Sequence, residues 1–258
     1  MTRSSRWCSG VWATFITCSG APAWAETIPA DVPHATILRA AGPITVDGRL
    51  DEPSWQAAPV IDAFAFPWWS SGEREPTRAR LLWDDRALYV SFQATDRHVS
   101  AVHAERDKPV SQDDCVEVFV APDTANVSNY YNFEFNALGT TLDRSPLDDR
   151  SSRWNADGLR VAVEIHGTLN QQADADSFWT TEIAIPFDTF AGYAQPLPPA
   201  DGDVWRLNLY RTGGAINLQY MTWSNTQTEK PSFHVPQRFG AVHFSSAQVH
   251  VTKAATPE

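Results

Sequence analysis

The sequence is short of long apolar runs, of positive charge and of cysteine. No stretch of 18 apolar residues occurs in its 258 residues, so no membrane-spanning helix is expected. The chain has 20 Lys and Arg against 31 Asp and Glu, a net charge of −11. Such a surface repels phosphate backbones and anionic bilayers, which argues against nucleic acid as a partner. Of three cysteines, Cys8 and Cys18 lie at the extreme N-terminus, leaving Cys115, which alone cannot form an internal disulfide. An unpaired Cys at the start of the strand-like run Cys115–Val120 reads as a small buried thiol. No Gly-x-Ser-x-Gly elbow, His-Glu-x-x-His, Cys-x-x-Cys or EF-hand loop is present, and the seven His are scattered. With 31 acids, carboxylate pairs arise anyway and do not by themselves argue for a glycosidase. The sequence is read as a non-enzyme.

Aromatic residues, by contrast, are plentiful: 11 Trp, 13 Phe and 6 Tyr suffice for a packed core. Residues 1–25 read as a secretory signal. Arg3 and Arg6 form the positive start, Cys8 to Ser19 the apolar region, and Ala23-Trp24-Ala25 the cleavage pattern. A secreted or periplasmic chain is therefore expected, carrying 18 Lys and Arg against 31 acids, a net −13.

Beyond the signal, apolar residues recur at every second position, the pattern of half-buried strands. Leu88, Val90, Phe92 and Ala94 share one face. Val116, Val118 and Val120, then Tyr131, Phe133 and Phe135, then Val161, Val163 and Ile165 repeat the pattern. Trp179 to Ile185, Trp205 to Leu209, Leu218 to Trp223 and Phe239 to Phe244 complete it, and Pro186 to Phe190 suggests one helical turn. Asp84-Asp85-Arg86 reads as a hairpin turn, and Asn136 to Gly139 as the turn ending a strand. The expected fold is all-β, a single-domain antiparallel sandwich or jelly roll. An extended lead at 26–35 precedes the sandwich at 36–252, and a polar tail occupies 253–258. Trp83, Trp179 and Trp205 fall on apolar faces and are read as core.

Six segments, in order, resemble the family 9 carbohydrate-binding modules of secreted bacterial proteins. They are Ile44 to Glu52 with Trp55, Arg80 to Tyr89, Asp113 to Phe119, Phe133 to Gly139, Trp179 to Phe187, and Trp223-Ser224 with Phe233 to Gly240. The resemblance implies a sandwich that binds a poly- or oligosaccharide and assists carbohydrate catabolism beside glycoside hydrolases. It also implies a saccharide clamped between two Trp rings. Those positions fall here on Val110 or Ser111 and on Phe233, while Glu117 coincides with a family Glu and Glu134 stands where the family carries Arg.

Sugar recognition needs flat apolar rings against C–H faces and polar groups that fork between hydroxyls. The polar strand faces offer Glu117, Asn132, Glu134, Asn136, Glu182, Arg206, Asn208 and Tyr210. The carbohydrate-binding residues read from this set and the motifs are Glu117, Glu134, Asn136, Trp223, Phe233 and Arg238. Trp68, Trp69 and Trp154 are loop candidates for a stacking platform. Acid pairs at Asp47/Asp51/Glu52, Asp84/Asp85, Asp113/Asp114, Asp148/Asp149 and Asp174/Asp176 leave a structural Ca²⁺ ion open, against ordinary turn chemistry. Two other readings stay open: a b-type haem held by Met221 with His98, His103 or His234, and an interaction domain whose sugar site has eroded.

Overall fold

Val, Ile, Phe and Trp at alternate positions favour a pleated backbone, because each packs against its neighbours on one side of the sheet. In the computed structural model, which describes residues 27–146, 154–194 and 196–251, these runs are strands. The strands are β1 (His34–Arg39), β2 (Thr77–Trp83), β3 (Ala87–Thr95), β4 (Cys115–Ala121), β5 (Tyr131–Asn136) and β6 (Thr141–Arg144). They continue as β7 (Arg160–His166), β8 (Phe178–Pro186), β9 (Val204–Thr212), β10 (Tyr220–Thr222) and β11 (Gly240–Gln248). One short helix, α1 (Pro53–Ala57), lies between β1 and β2, and Phe187–Phe190 forms the expected single helical turn. The read signal at 1–25 and tail at 253–258 lie outside the described residues. His34 and Ala35, read as lead, open β1.

The strands hydrogen-bond in the order β6-β5-β4-β9-β11-β1-β2-β3-β8-β7, with β10 beside β9. Pairing is antiparallel, as the alternation suggested, except at β1. Its first half runs parallel to β11 (His34 opposite Ala241) and its end runs parallel to β2 (Leu38 opposite Leu82). The long connection through α1 makes the parallel step to β2 feasible, since parallel neighbours need a crossover. The path curls on itself, so the inner faces of β4, β5 and β9 meet those of β2, β3 and β8. Val116, Val118, Phe133, Phe135, Leu207 and Leu209 share one core with Leu81, Val90, Phe92, Ile183 and Ile185. Trp83, Trp179 and Trp205 sit in that core as read. Cys115 is fully buried, and burial pushes its thiol well up, which keeps it protonated and inert.

The outer faces are not simply solvated, because chain segments cover large parts of both. Over β2, β3 and β8 lies the segment carrying α1. Trp55, with no exposed surface, packs on Leu82, Tyr89 and Ala184. Glu182, read as a polar-face candidate, is consumed in holding it: its carboxylate accepts from Trp55 Nε1 (2.8 Å), Asp47 N (3.0 Å) and Gly48 N (3.2 Å). Gly48 is required here, since its φ is +89° and a Cβ would stand 2.8 Å from the Val163 carbonyl carbon.

Candidate functional site

The second covered face belongs to β4, β5, β6 and β9. Because side chains alternate, Glu117, Phe119, Asn132, Glu134, Asn208 and Tyr210 all project away from the core. The register lines them into two rows. One row runs Leu142, Glu134, Glu117, Tyr210; the next runs Arg144, Asn132, Phe119, Asn208. The β9 end of these rows is occupied by the loop that leads to β11. Asn208 Nδ2 donates to Ser224 O (2.9 Å) and its Oδ1 accepts from Ser224 N (2.8 Å). Tyr210 OH donates to Phe233 O (2.8 Å), and Arg206 Nε donates to Phe239 O (3.0 Å). These three polar residues, read as saccharide candidates, tie down a loop.

The β5–β6 end stays open. A hollow of about 530 Å³ is lined by Ser128, Tyr130, Asn132, Glu134, Arg144, Ser145, Pro146 and His234. Its aromatic wall is a built unit. Tyr130 OH and His234 Nδ1 are 2.8 Å apart, and Phe119 stacks on Tyr130 with centroids 5.7 Å apart and planes 21° apart. Phe119 also lies 5.1 Å from the His234 ring. On the floor, Asn132 Nδ2 donates to Glu134 Oε1 (2.9 Å). Glu117 and Glu134 oppose each other across strands and are 2% and 7% exposed. Glu117 Oε1 and Glu134 Oε2 are buried with no hydrogen-bond partner. Burial pushes Glu117 well above the carboxylate range, and the Glu134 charge adds to this. Burial likewise raises Glu134 to about 7, against the pull of Arg144 and of hydrogen bonds to Ser111 and Asn132.

Thus Glu134 lines the hollow and Glu117 is buried opposite it on β4, outside the lining, while the other four residues read from the motifs serve elsewhere. Asn136 is fully buried at the turn after β5, donating to Asp113 Oδ2 (2.7 Å) and accepting from Leu138 N and Thr140 N. Trp223 is 7% exposed and packed in the main core, against Gly240, where a Cβ would come within 2.5 Å of its ring. Phe233 is 8% exposed and stacks on Tyr210 with centroids 4.2 Å apart. Arg238 clasps Asp31 with two hydrogen bonds (2.8 and 3.0 Å), which hold that carboxyl down at about 2. Of the loop tryptophans, Trp68 is a plug, donating to Thr228 O (2.8 Å) beside Phe233. Trp154 packs on Tyr131 and Phe133, and Trp69 is 38% exposed with the Arg74 guanidinium over its ring at 4.3 Å. Sequence reading missed Tyr130 and named His234 only as a haem-ligand candidate; only the fold brings the two together, and Tyr130, just before a strand of alternating aromatics, carried no signal of its own.

The acid pairs act as turn and loop clips. Asp84 accepts from Arg86 N and Ala87 N, Asp113 from Val102 N and His103 N, and Asp114 from Ser100 N and Gly214 N. Asp148 and Asp149 lie outside the described residues. Among the described residues, no group of three or more His, Cys, Asp or Glu is placed to hold a metal ion. Met221, read as a haem-ligand candidate, has no exposed surface, and its sulfur accepts the Thr77 hydroxyl (3.5 Å).

A curled β-sandwich with a polar hollow and one aromatic wall has the features of a ligand-binding module. The chain belongs to carbohydrate-binding family 9, whose model matches residues 45–244, and whose members are non-catalytic. The fold is similar to that of a candidate carbohydrate-binding protein from Bacteroides uniformis ATCC 8492, at 21% identity and TM-score 0.69, over 83% of this chain and 100% of that one. It is also similar to a family 9 carbohydrate-binding module from Caldicellulosiruptor kristjanssonii in complex with cellotriose, at 13% identity and TM-score 0.60, over 87% of this chain and 100% of that one. The same organism's family 9 module in complex with glucose gives 13% identity and TM-score 0.59 over the same shares. No curated protein matches the sequence.

Proposed function

We propose that the chain binds a neutral saccharide in the hollow over β5 and β6, stacking it on the Tyr130–His234 wall. The observation that carries this reading is the junction of an aromatic pair with polar groups in one open cavity of about 530 Å³, room for one or two sugar rings. Asn132, Ser128 and Ser145 supply neutral polar contacts, and Glu134 supplies the buried acid. The cellotriose and glucose bound by the family 9 modules of similar fold support short glucose oligosaccharides as the first ligands to test. In calorimetric titration with cellotriose, Tyr130→Ala should weaken binding about tenfold, the loss of about 1.4 kcal/mol of ring contact. The melting temperature should fall modestly with the fold kept, because Tyr130 is half-buried and packs on Phe119 and Phe239. Unchanged affinity in this variant would move the site elsewhere, and no binding of any glycan by the wild type would end the reading.

The same proposal extends to the cell. The N-terminal pattern supports export, and family membership supports work beside glycoside hydrolases in carbohydrate catabolism. Mass spectrometry of the exported protein should then find Glu26 as the first residue; an intact Met1 in an exported fraction would remove the signal assignment.

A further inference from the structure

A second hollow, of about 480 Å³, is lined by the loops 98–103, 170–172 and 215–216 and by Gln112 and Asp113. Its floor is pinned at every residue. The backbone N–H groups of six consecutive residues each donate to a side-chain oxygen. His98 donates to Asp96 (3.0 Å), Val99 to Asp176 (2.7 Å), Ser100 to Asp114 (2.8 Å) and Ala101 to Asn170 (3.0 Å). Val102 and His103 donate to the two oxygens of Asp113 (3.1 Å each). A loop held this way has little freedom left to lose when a ligand settles on it. Above the floor, Gln112, Gln171 and Gln172 are exposed, and their side-chain amides have no hydrogen-bond partner among the described residues. Val102, 74% exposed, and Ile216, 43% exposed, add aliphatic surface. The lining holds no Lys or Arg, and its one carboxylate, Asp113, is engaged by Val102 N, His103 N and Asn136 Nδ2. We propose that this hollow is a second saccharide subsite, which takes the continuation of the chain whose first rings occupy the hollow over β5 and β6. The ligand is then a neutral oligosaccharide longer than a disaccharide. This rests on the reading of the first hollow as the saccharide site.

Chemistry and placement both favour a sugar chain. A primary amide carries a donor and an acceptor side by side, which matches two adjacent hydroxyls, and uncharged aliphatic side chains cover C–H faces without demanding an ion. The two hollows meet at one turn. Ser111, in the turn Val110–Gln112, hydrogen-bonds Glu134 of the first lining, while its neighbour Gln112 belongs to the second. On β5, Asn136 lies two residues beyond Glu134 on the same face, about 7 Å further along the strand. Asn136 Nδ2 donates to Asp113 Oδ2 (2.7 Å) in the second lining. A chain that leaves the Tyr130–His234 wall toward that end of β5 therefore meets the second hollow next. Once its first rings are held, the extension finds its subsite without a second encounter from solution, and even a modest contact there adds about tenfold in affinity.

Calorimetric titration of the full chain with cellobiose, which the first hollow can hold whole, and with cellohexaose tests this. The wild type should bind the hexaose at least about tenfold more tightly. A variant combining Gln171→Ala, Gln172→Ala and Ile216→Ser, all at exposed loop positions, should keep its cellobiose affinity within about twofold. It should hold the hexaose with only the smaller gain that extra binding registers on a longer chain give. In NMR spectra of the wild type, the side-chain amide signals of Gln112, Gln171 and Gln172 should move with the hexaose and stay with cellobiose. Equal affinity for the two lengths, a full hexaose gain in the variant, or amide signals indifferent to the hexaose overturns the proposal. With cellobiose still bound, any of these removes only the second subsite and leaves the first hollow as the saccharide site. No binding of either length removes both. If the variant does not fold, the wild-type spectra and the comparison of lengths decide.

Discussion

Arg211→Ala should cost about 4 kcal/mol of folding stability, measured by urea denaturation at neutral pH. Arg211 has no exposed surface. Its guanidinium pairs with Asp96 (2.9 Å), reaches Glu75 (3.9 Å), and donates to the backbone carbonyls of Glu75 (3.1 Å) and Thr95 (2.5 Å). Removing it leaves Asp96, Glu75 and Asp114 as buried acids with no cation. In the wild type, burial and the Asp96 charge already raise Asp114 to about 7, and burial with Asp96 raises Glu75. A raised carboxyl binds more protons folded than unfolded. Its contribution is therefore full at low pH and is lost as pH rises from about 4 through the folded value. Without Arg211 these values climb further, so the deficit should be larger at about pH 8 than at about pH 5. Arg211→Lys should fall between, since an ammonium keeps the charge and loses the fork. A loss below about 1 kcal/mol, or one equal at both pH values, would show that the acids find other partners.

Glu182→Ala should cost about 3 kcal/mol and free the segment carrying α1 from the sheet. Three donors lose one acceptor, and Trp55 Nε1 is left unpaired in an apolar setting. Glu182→Gln retains a carbonyl oxygen and should lose roughly half as much. Limited proteolysis should then cut within residues 40–58 well before the remainder of the chain, because opening is local. Uniform cleavage along the chain would mean that this cover and the sandwich open together.

Strands and core were legible because they follow from period two. Val116, Val118 and Val120 on one side of β4 and Leu88, Val90 and Phe92 on one side of β3 could only face inward together. The outward residues were harder. Glu182, Asn208 and Tyr210 look like solvated polar groups in sequence, yet each satisfies a segment laid over it from 16 or more residues away. Asn208 and Ser224 are 16 apart, Trp55 and Glu182 are 127 apart, and Arg238 and Asp31 are 207 apart. No local pattern carries pairings of that span. β6, with Thr-Leu-Asp-Arg, is too short and polar to announce itself, and its presence is what turns Asn132 and Glu134 into a floor instead of an edge. The carboxyl pair was visible as two separate polar-face positions; only the β4–β5 register makes them neighbours.

The placement of β1 sets an order of assembly. Its first half pairs with the last strand and its final residues with the second, so it is the seam joining the two layers. β1 therefore waits for β11, which follows it by about 200 residues. Until Gly240 to Phe244 has emerged, His34 to Ile37 has no partner on that side and the two layers cannot close over one another. A ribosome-bound chain truncated before residue 240 should remain protease-sensitive throughout, and maturation should arrive as one late event rather than piece by piece.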